Sequence, residues 1–354
     1  MSVLTALDEA DALEQLHRLG CTDGLPVVIP TPERVERLVL ATVADSTTSL
    51  GVMGPLGAAT TIERVATNAV MAGCEPDHMP ILVATLRALL RPDYDLSEAQ
   101  STTHSTTPLV VVSGPLATAC GIAGSFGALG PGHRANASIG RAVRLCLMNI
   151  GGARPGVSDM ALLGHGGKFS MCLTENLAES PWGPCSVDAG FDPVDSVVTV
   201  IGVEAPHSVV FVDDSEDPDS PDRLLRVVAR AIANPGSNNA FFRTGSVAVA
   251  LNPEHAAVLA RAGLGRADVR RELHRLATNR RGELRRLNPA FAGSGDADDE
   301  LAVLPSPDHV LLLVAGGGGL YSSVFPSWSA GAHANPILHE RIEADQACAI
   351  PGVG

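Results

Sequence analysis

The chain has 354 residues, 45% of them hydrophobic and 18% charged, with a formal charge of −14 and a pI near 5.2. That is ample for a large buried core in one domain or two. The acidic balance argues against nucleic acid and anionic membrane surfaces as partners, and no stretch reaches the roughly 18 apolar residues of a membrane-spanning helix.

Residues 1–17 carry Asp8, Glu9, Asp11 and Glu14 and lack the basic start and apolar run of a signal peptide, which predicts a cytoplasmic protein. The seven cysteines are odd in number and scattered, with no C-x-x-C pair. They predict reduced thiols, with neither a disulfide framework nor a structural zinc. Aromatics make up 3%, against 36 Gly and 25 Pro, so the core must be built from Ala, Val, Leu and Ile around many tight turns. Of the 25 Lys and Arg residues a single one, Lys168, is lysine. An arginine cannot stand in where a titratable amine is needed, so this position is a functional candidate or an accident of composition.

In chain order, leucines 7, 13, 16 and 19 predict an amphipathic helix over 7–19, stopped by Gly20. Residues 25–30 read as a short strand or extended piece, and Thr31-Pro32-Glu33 opens a helix. Gly54-Pro55-Leu56-Gly57 leads into a helix over about 61–72, and another runs from Pro80 to Leu90. Residues 108–113 are a strand, 121–132 a Gly-rich stretch, and 137–150 an apolar, buried helix. Strands follow at 196–203 and 208–213, then an acidic loop, a helix at 224–232, a strand at 246–251 and a helix capped by Asn252. Residues 267–287 read as an arginine-rich helix with a solvated, ion-pairing face, and 309–315 as the last strand, ended by Gly316 to Gly319. The recurring strand, Gly or Pro break and helix predict an α/β chain of repeated βα units around mixed sheets, with internal pseudo-symmetry. Residues 1–354 form one such chain, with one conceivable division into 1–190, holding the site loops, and 191–354.

The segment from Gly164 to Asn176 holds His165, Lys168, Cys172, Glu175 and Asn176. As a helix it would place Lys168, Cys172 and Glu175 on one face, at i, i+4 and i+7. A cation lowers the pKa of a neighbouring thiol, and a carboxylate can shuttle protons. Such a trio would run nucleophilic acyl, imidoyl or nitrile chemistry. The alternative is a glycine turn and a helix whose cysteine is core and whose Lys–Glu pair is at the surface. A metal on His165, Cys172 and Glu175 is a third reading.

His104, among the hydroxyl residues of Ser101 to Thr107, is a candidate acid or base. The loop Gly127 to Asn136 offers backbone N–H groups with His133, Arg134 and Asn136 for a carboxylate or phosphate. Gly316 and Gly317 suggest a second anion nest or a close subunit contact. Asp23, in the turn Cys21 to Pro26, and Glu63, paired with Arg64, are further substrate-binding candidates.

Asp23-Gly-Leu-Pro-Val-Val, Gly54-Pro-Leu-Gly, residues 68–74, Arg134-Ala-Asn-Ala, Lys168 to Asn176 with Ser180-Pro-Trp182, and Val314-Ala-Gly-Gly317 together resemble a poorly characterised bacterial family of about this length. Its members occur beside, or joined to, small proteins with a Cys- or selenocysteine-Gly-Ser-Cys motif. The resemblance implies that these segments, Lys168 to Asn176 among them, are the functional ones, and that a small thiol or selenol protein is a partner. This chain lacks the Cys-Gly-Ser-Cys motif and has Tyr321 where a histidine is expected.

The leading expectation is a small-molecule enzyme without a cofactor. Cys172 would be its nucleophile, tuned by Lys168 and Glu175, in hydrolase- or lyase-like addition to a C=O or C=N carbon. The alternatives are a non-catalytic or substrate-binding subunit of a two-component thiol or selenol redox enzyme, and a metal-dependent hydrolase or lyase. Glycine-rich strand ends and a mean hydropathy of +0.18 add the expectation of a homo-oligomer.

Overall fold

The computed structural model describes residues 4–343. Helix α1 (Glu9–Arg18) is capped by Asp8, which accepts the Asp11 N–H, and α2 (Pro32–Val39) by Thr31, with Pro in its first turn. A hairpin of β1 (Ser49–Met53) and β2 (Ala58–Thr61) precedes α3 (Ile62–Ala72), which Thr61 opens and Gly73 ends at φ 81°. Then come α4 (Met79–Leu89), α5 (Leu96–Ser101), β3 (Thr107–Ser113), α6 (Pro115–Ala119), α7 (Arg134–Asn149), β4 (Cys172–Leu173) and β5 (Val197–Val203). The chain continues through β6 (His207–Val210), α8 (Ser220–Ile232), α9 (Asn238–Phe242), β7 (Val247–Leu251), α10 (Pro253–Arg261) and α11 (Arg266–Leu276). It closes with β8 (Thr278–Arg280), α12 (Arg281–Leu287), α13 (Pro289–Ala292), β9 (Glu300–Ala302), β10 (Val310–Val314), β11 (Tyr321–Phe325) and β12 (Leu338–Arg341).

Two four-stranded mixed sheets, in the orders β12-β5-β3-β4 and β10-β7-β11-β6, stack between two helical layers. Successive strand side chains point to opposite faces. Val110, Val112, Val198 and Val200 therefore join the core with α3, α4 and α7, while Leu109, Val111, Ile201 and Val203 face the second sheet. From that sheet Ala248, Ala250, Leu311 and Leu313 meet them, and Val247, Val249, Leu312 and Val314 pack under α8, α10 and α11. Burial on both faces is why β7 and β10 are unbroken apolar runs and β3 and β5 are nearly so.

The two sheets repeat one pattern. An edge strand runs parallel to a central strand, and two antiparallel strands follow: β4, β3, β5, β12 in one and β10, β7, β11, β6 in the other. Each half also lends its last strand across. After β5 the chain crosses to supply β6 to the second sheet, and after β11 it crosses back to supply β12 to the first. The α/β reading, with mixed sheets and internal pseudo-symmetry, holds. Because the first sheet takes β3 and β4 from before residue 190 and β5 and β12 from after it, it bridges the boundary expected at 190/191.

Several elements differ from expectation, β11 and β12 among them, which follow the strand read as the last. Residues 25–30 pair with no strand, since Pro26 and Pro30 remove donors that a ladder needs. The arginine-rich stretch is broken after Leu276, where β8 pairs with β9. Its arginines do meet acids, including Arg275 with Glu272 and Arg281 with Asp299. Among the described residues no helix is long and apolar enough to cross a membrane.

Candidate functional site

Residues 168–175 are not a helix. Gly166–Lys168 forms a single 3-10 turn, and Cys172–Leu173 is strand β4, recruited as the parallel partner of Val110 and Val111. Strand alternation turns Cys172 into the core beneath α3 and α7, where it is 1% exposed and burial pushes its thiol up to about 12. Lys168 leaves in another direction and its Nζ pairs with Asp159 at 2.8 Å. Glu175 leaves in a third: one carboxylate oxygen accepts the Cys185 N–H at 2.6 Å and the other accepts from Arg266 at 3.1 Å. The shared face of Lys168, Cys172 and Glu175 is thus replaced by three separate environments. The same divergence removes His165, Cys172 and Glu175 as a metal set, and among the described residues no group of three or more His, Cys, Asp or Glu could hold a metal ion.

A thiol so buried should react late. Iodoacetamide on the native protein should modify half-buried Cys21 before Cys172, as followed by peptide mass mapping. A Cys172 rate with a free-thiol midpoint near about 8.5 would contradict this placement.

What the fold does gather is His104, Asp159, His165, Lys168 and Glu204. Pairing of Thr107 with Val203 at one end of the β3–β5 ladder brings His104 and Glu204 to the same sheet end. There His104 Nε2 lies 2.8 Å from Glu204 Oε1. The loop from α7 to β4 folds over them. The Leu162 N–H donates to the Thr103 carbonyl and the Gly164 N–H to Ser105 Oγ, both at 3.0 Å.

Asp159 anchors that loop. It is 4% exposed and accepts from Arg144 at 2.5 Å and from Lys168 at 2.8 Å. Burial raises its pKa, but Lys168 and Arg144 outweigh burial and hold it below the usual carboxylate range. Burial in turn lowers the Lys168 ammonium, opposed by Asp159. A planar guanidinium already occupies one side of Asp159, so a compact ammonium suits the other side.

The two histidines present complementary ring nitrogens. With its proton on Nε2, which faces the Glu204 carboxylate, His104 offers Nδ1 as an acceptor. His165 Nδ1 accepts the Gly167 N–H at 3.1 Å, so its proton sits on Nε2. Burial, then Lys168, lowers the His165 pKa and keeps that ring neutral near pH 7. His104 Nδ1 and His165 Nε2 are both buried and have no hydrogen-bond partner. Buried polar atoms are nearly always paired, so an orphaned acceptor and an orphaned donor in one cluster call for an occupant.

The other expected binding residues are committed elsewhere. Asp23 holds Arg141 through two bonds of 2.7 and 2.8 Å and so pins the turn after α1 to α7. Asn136 spends its amide on Ala123 N–H, Ala123 O and Ala128 O, which fixes the Gly-rich loop from inside. His133 Nε2 meets the Phe126 carbonyl, and Arg134 pairs with Glu75 at 2.6 Å. The Gly316 N–H donates to the Gly124 carbonyl, and Gly317 lies under the Phe126 ring, where a Cβ would come within 2.0 Å. Asn176 Nδ2 bridges Glu179 and Gly316 O. These glycine segments therefore pack on one another. Glu63 is separate from Arg64, which donates to Ala59 O, and lines a cavity beside α1 and α2.

Sequence reasoning missed Asp159, Arg144 and Glu204. The available signal was an acid placed directly after the apolar run 196–203. No family model and no curated protein matches the chain.

Proposed function

We propose that the chain is an enzyme of hydrolase or lyase type acting on a small polar substrate by proton transfer, with His104 as base, Glu204 orienting it, and His165 and Lys168 as donors. The observation that carries this reading is the pair of orphaned ring nitrogens beside a half-buried ammonium. In it, water adds to the C=O or C=N carbon in place of Cys172, and the proton it loses goes to His104 Nδ1. The imidazolium so formed lies against the Glu204 carboxylate. The His165 Nε2–H donates to the substrate atom that gains negative charge, and Lys168 stabilises an anionic substrate group. Access requires residues 160–164 to lift. Leu162 and Leu163 there are 87% and 95% exposed, and two hydrogen bonds tie the segment down. The six described cysteines are all free, which supports a reducing, cytoplasmic setting.

The test is turnover of a panel of small esters, amides and nitriles by the wild type and variants. His104→Ala should lower kcat by about 10²–10⁴ with KM little changed. Lys168→Met should raise KM. Full turnover by a folded His104→Ala protein would remove His104 from the chemistry.

A further inference from the structure

The N-terminal helices border a half-open space that shares no lining residue with the histidine cluster. A cavity of about 1210 Å³ opens between α1 and α2 on one side and α3 and the end of α7 on the other. Leu16, Val35, Val39, Leu56, Met71 and Ile150 are among its walls. Drug-sized ligands occupy pockets of about 300–1,000 Å³, so a fused-ring or long-chain body fits here. The walls are not packed home: α1 contributes no buried residue, and Leu40, Val43 and Leu56 stay 76%, 68% and 72% exposed.

The charged part of the lining is mainly acidic. Asn149 gives its Nδ2 to the Cys21 carbonyl at 2.9 Å and to Asn68 Oδ1 at 2.7 Å, while its Oδ1 is buried and has no partner. Glu36, Asp45 and Glu63 line the same space, against Arg64 alone among the cations of the described residues. The excess of carboxylates favours hydrogen-bond donors and positive charge.

We infer that this cavity binds an amphiphile with an apolar body and an N–H or ammonium head. The site stands independently of the catalytic proposal. α1 forms one wall, and the ligand supplies apolar contact together with a donor for the carboxylates of the lining.

N-phenyl-1-naphthylamine, a fluorescent apolar probe with one N–H, tests the inference on the full chain, with 1-phenylnaphthalene as its donor-free counterpart. The amine should bind saturably, one per chain, and about tenfold more tightly than the hydrocarbon, the ratio one hydrogen bond of about 1.4 kcal/mol gives. Ala12→Trp, which fills the space from α1, should weaken it at least about tenfold, and Val43→Trp should do the same from the other wall. The second variant serves if the first disturbs α1 in thermal melting. Non-saturable binding, or affinity unchanged in both variants, would overturn the site. Equal affinity for the two probes would overturn the donor-bearing head. A dimer in sedimentation that Ala12→Trp dissociates would show that a second copy fills the groove, and would overturn the small-molecule occupant.

Discussion

Asp159→Ala should cost about 3–5 kcal/mol of folding stability, read from denaturant unfolding. The substitution leaves two cations, Arg144 at 8% and Lys168 at 14% side-chain exposure, without their shared carboxylate. Removing one member of a buried ionic group costs far more than the group contributes as a whole. The triple variant that also carries Arg144→Met and Lys168→Met should therefore recover much of the loss. A cost under about 1 kcal/mol for the single change would mean that water reaches both cations and that the cluster is open at rest. The pH dependence has a definite sign. Asp159 has a depressed pKa, so its contribution is present above the ordinary carboxylate range and is lost as pH falls through its folded value. His339, which burial and then Arg91 and Arg270 lower to about 4, acts earlier. Below about 6.5 the unfolded chain takes a proton that the folded imidazole refuses, so stability falls between about pH 6.5 and 4. His339→Gln should flatten that part of the curve.

Arg266→Met should be comparably damaging, again about 3–5 kcal/mol in unfolding experiments. Its side chain is 5% exposed and donates to Glu175, to the Leu312 carbonyl at 2.8 Å and to the Gly183 carbonyl, with Asp188 at 3.6 Å. Without it Glu175, 1% exposed, keeps the Cys185 N–H as its bonded partner and carries an uncompensated buried charge. Arg266→Lys should rescue little, because one compact ammonium cannot reach carboxylate and carbonyls together. Adding Glu175→Leu to Arg266→Met should restore stability relative to the single variant. Simple additivity of the two losses would show that the pair is not coupled.

Much of the fold was written locally. Strands buried on both faces announce themselves as apolar runs, and Thr31, Thr61 and Asn252 announce helix starts. The error at 168–175 has a physical cause. A spacing of i, i+4 and i+7 fits a helix as well as it fits chance, and the outcome was decided by pairing with β3, some sixty residues earlier, which no local pattern reports. The same reason hid Glu204. It belongs to His104 only through the register of β3 against β5, 100 residues apart along the chain. Lys168 and His104 were legible as chemistry-bearing side chains, one by its solitude in composition and the other by its hydroxyl-rich setting. Their shared location was not.

The exchange of last strands also orders events during synthesis. Thr199 and His339 are ladder partners 140 residues apart, so β5 leaves the ribosome long before β12 exists. The second sheet is complete once residue 325 has emerged, whereas the first still lacks its edge. Until residue 341 arrives, the nascent chain carries β5 with one row of amides and carbonyls unpaired, which is the kind of edge that invites the wrong neighbour.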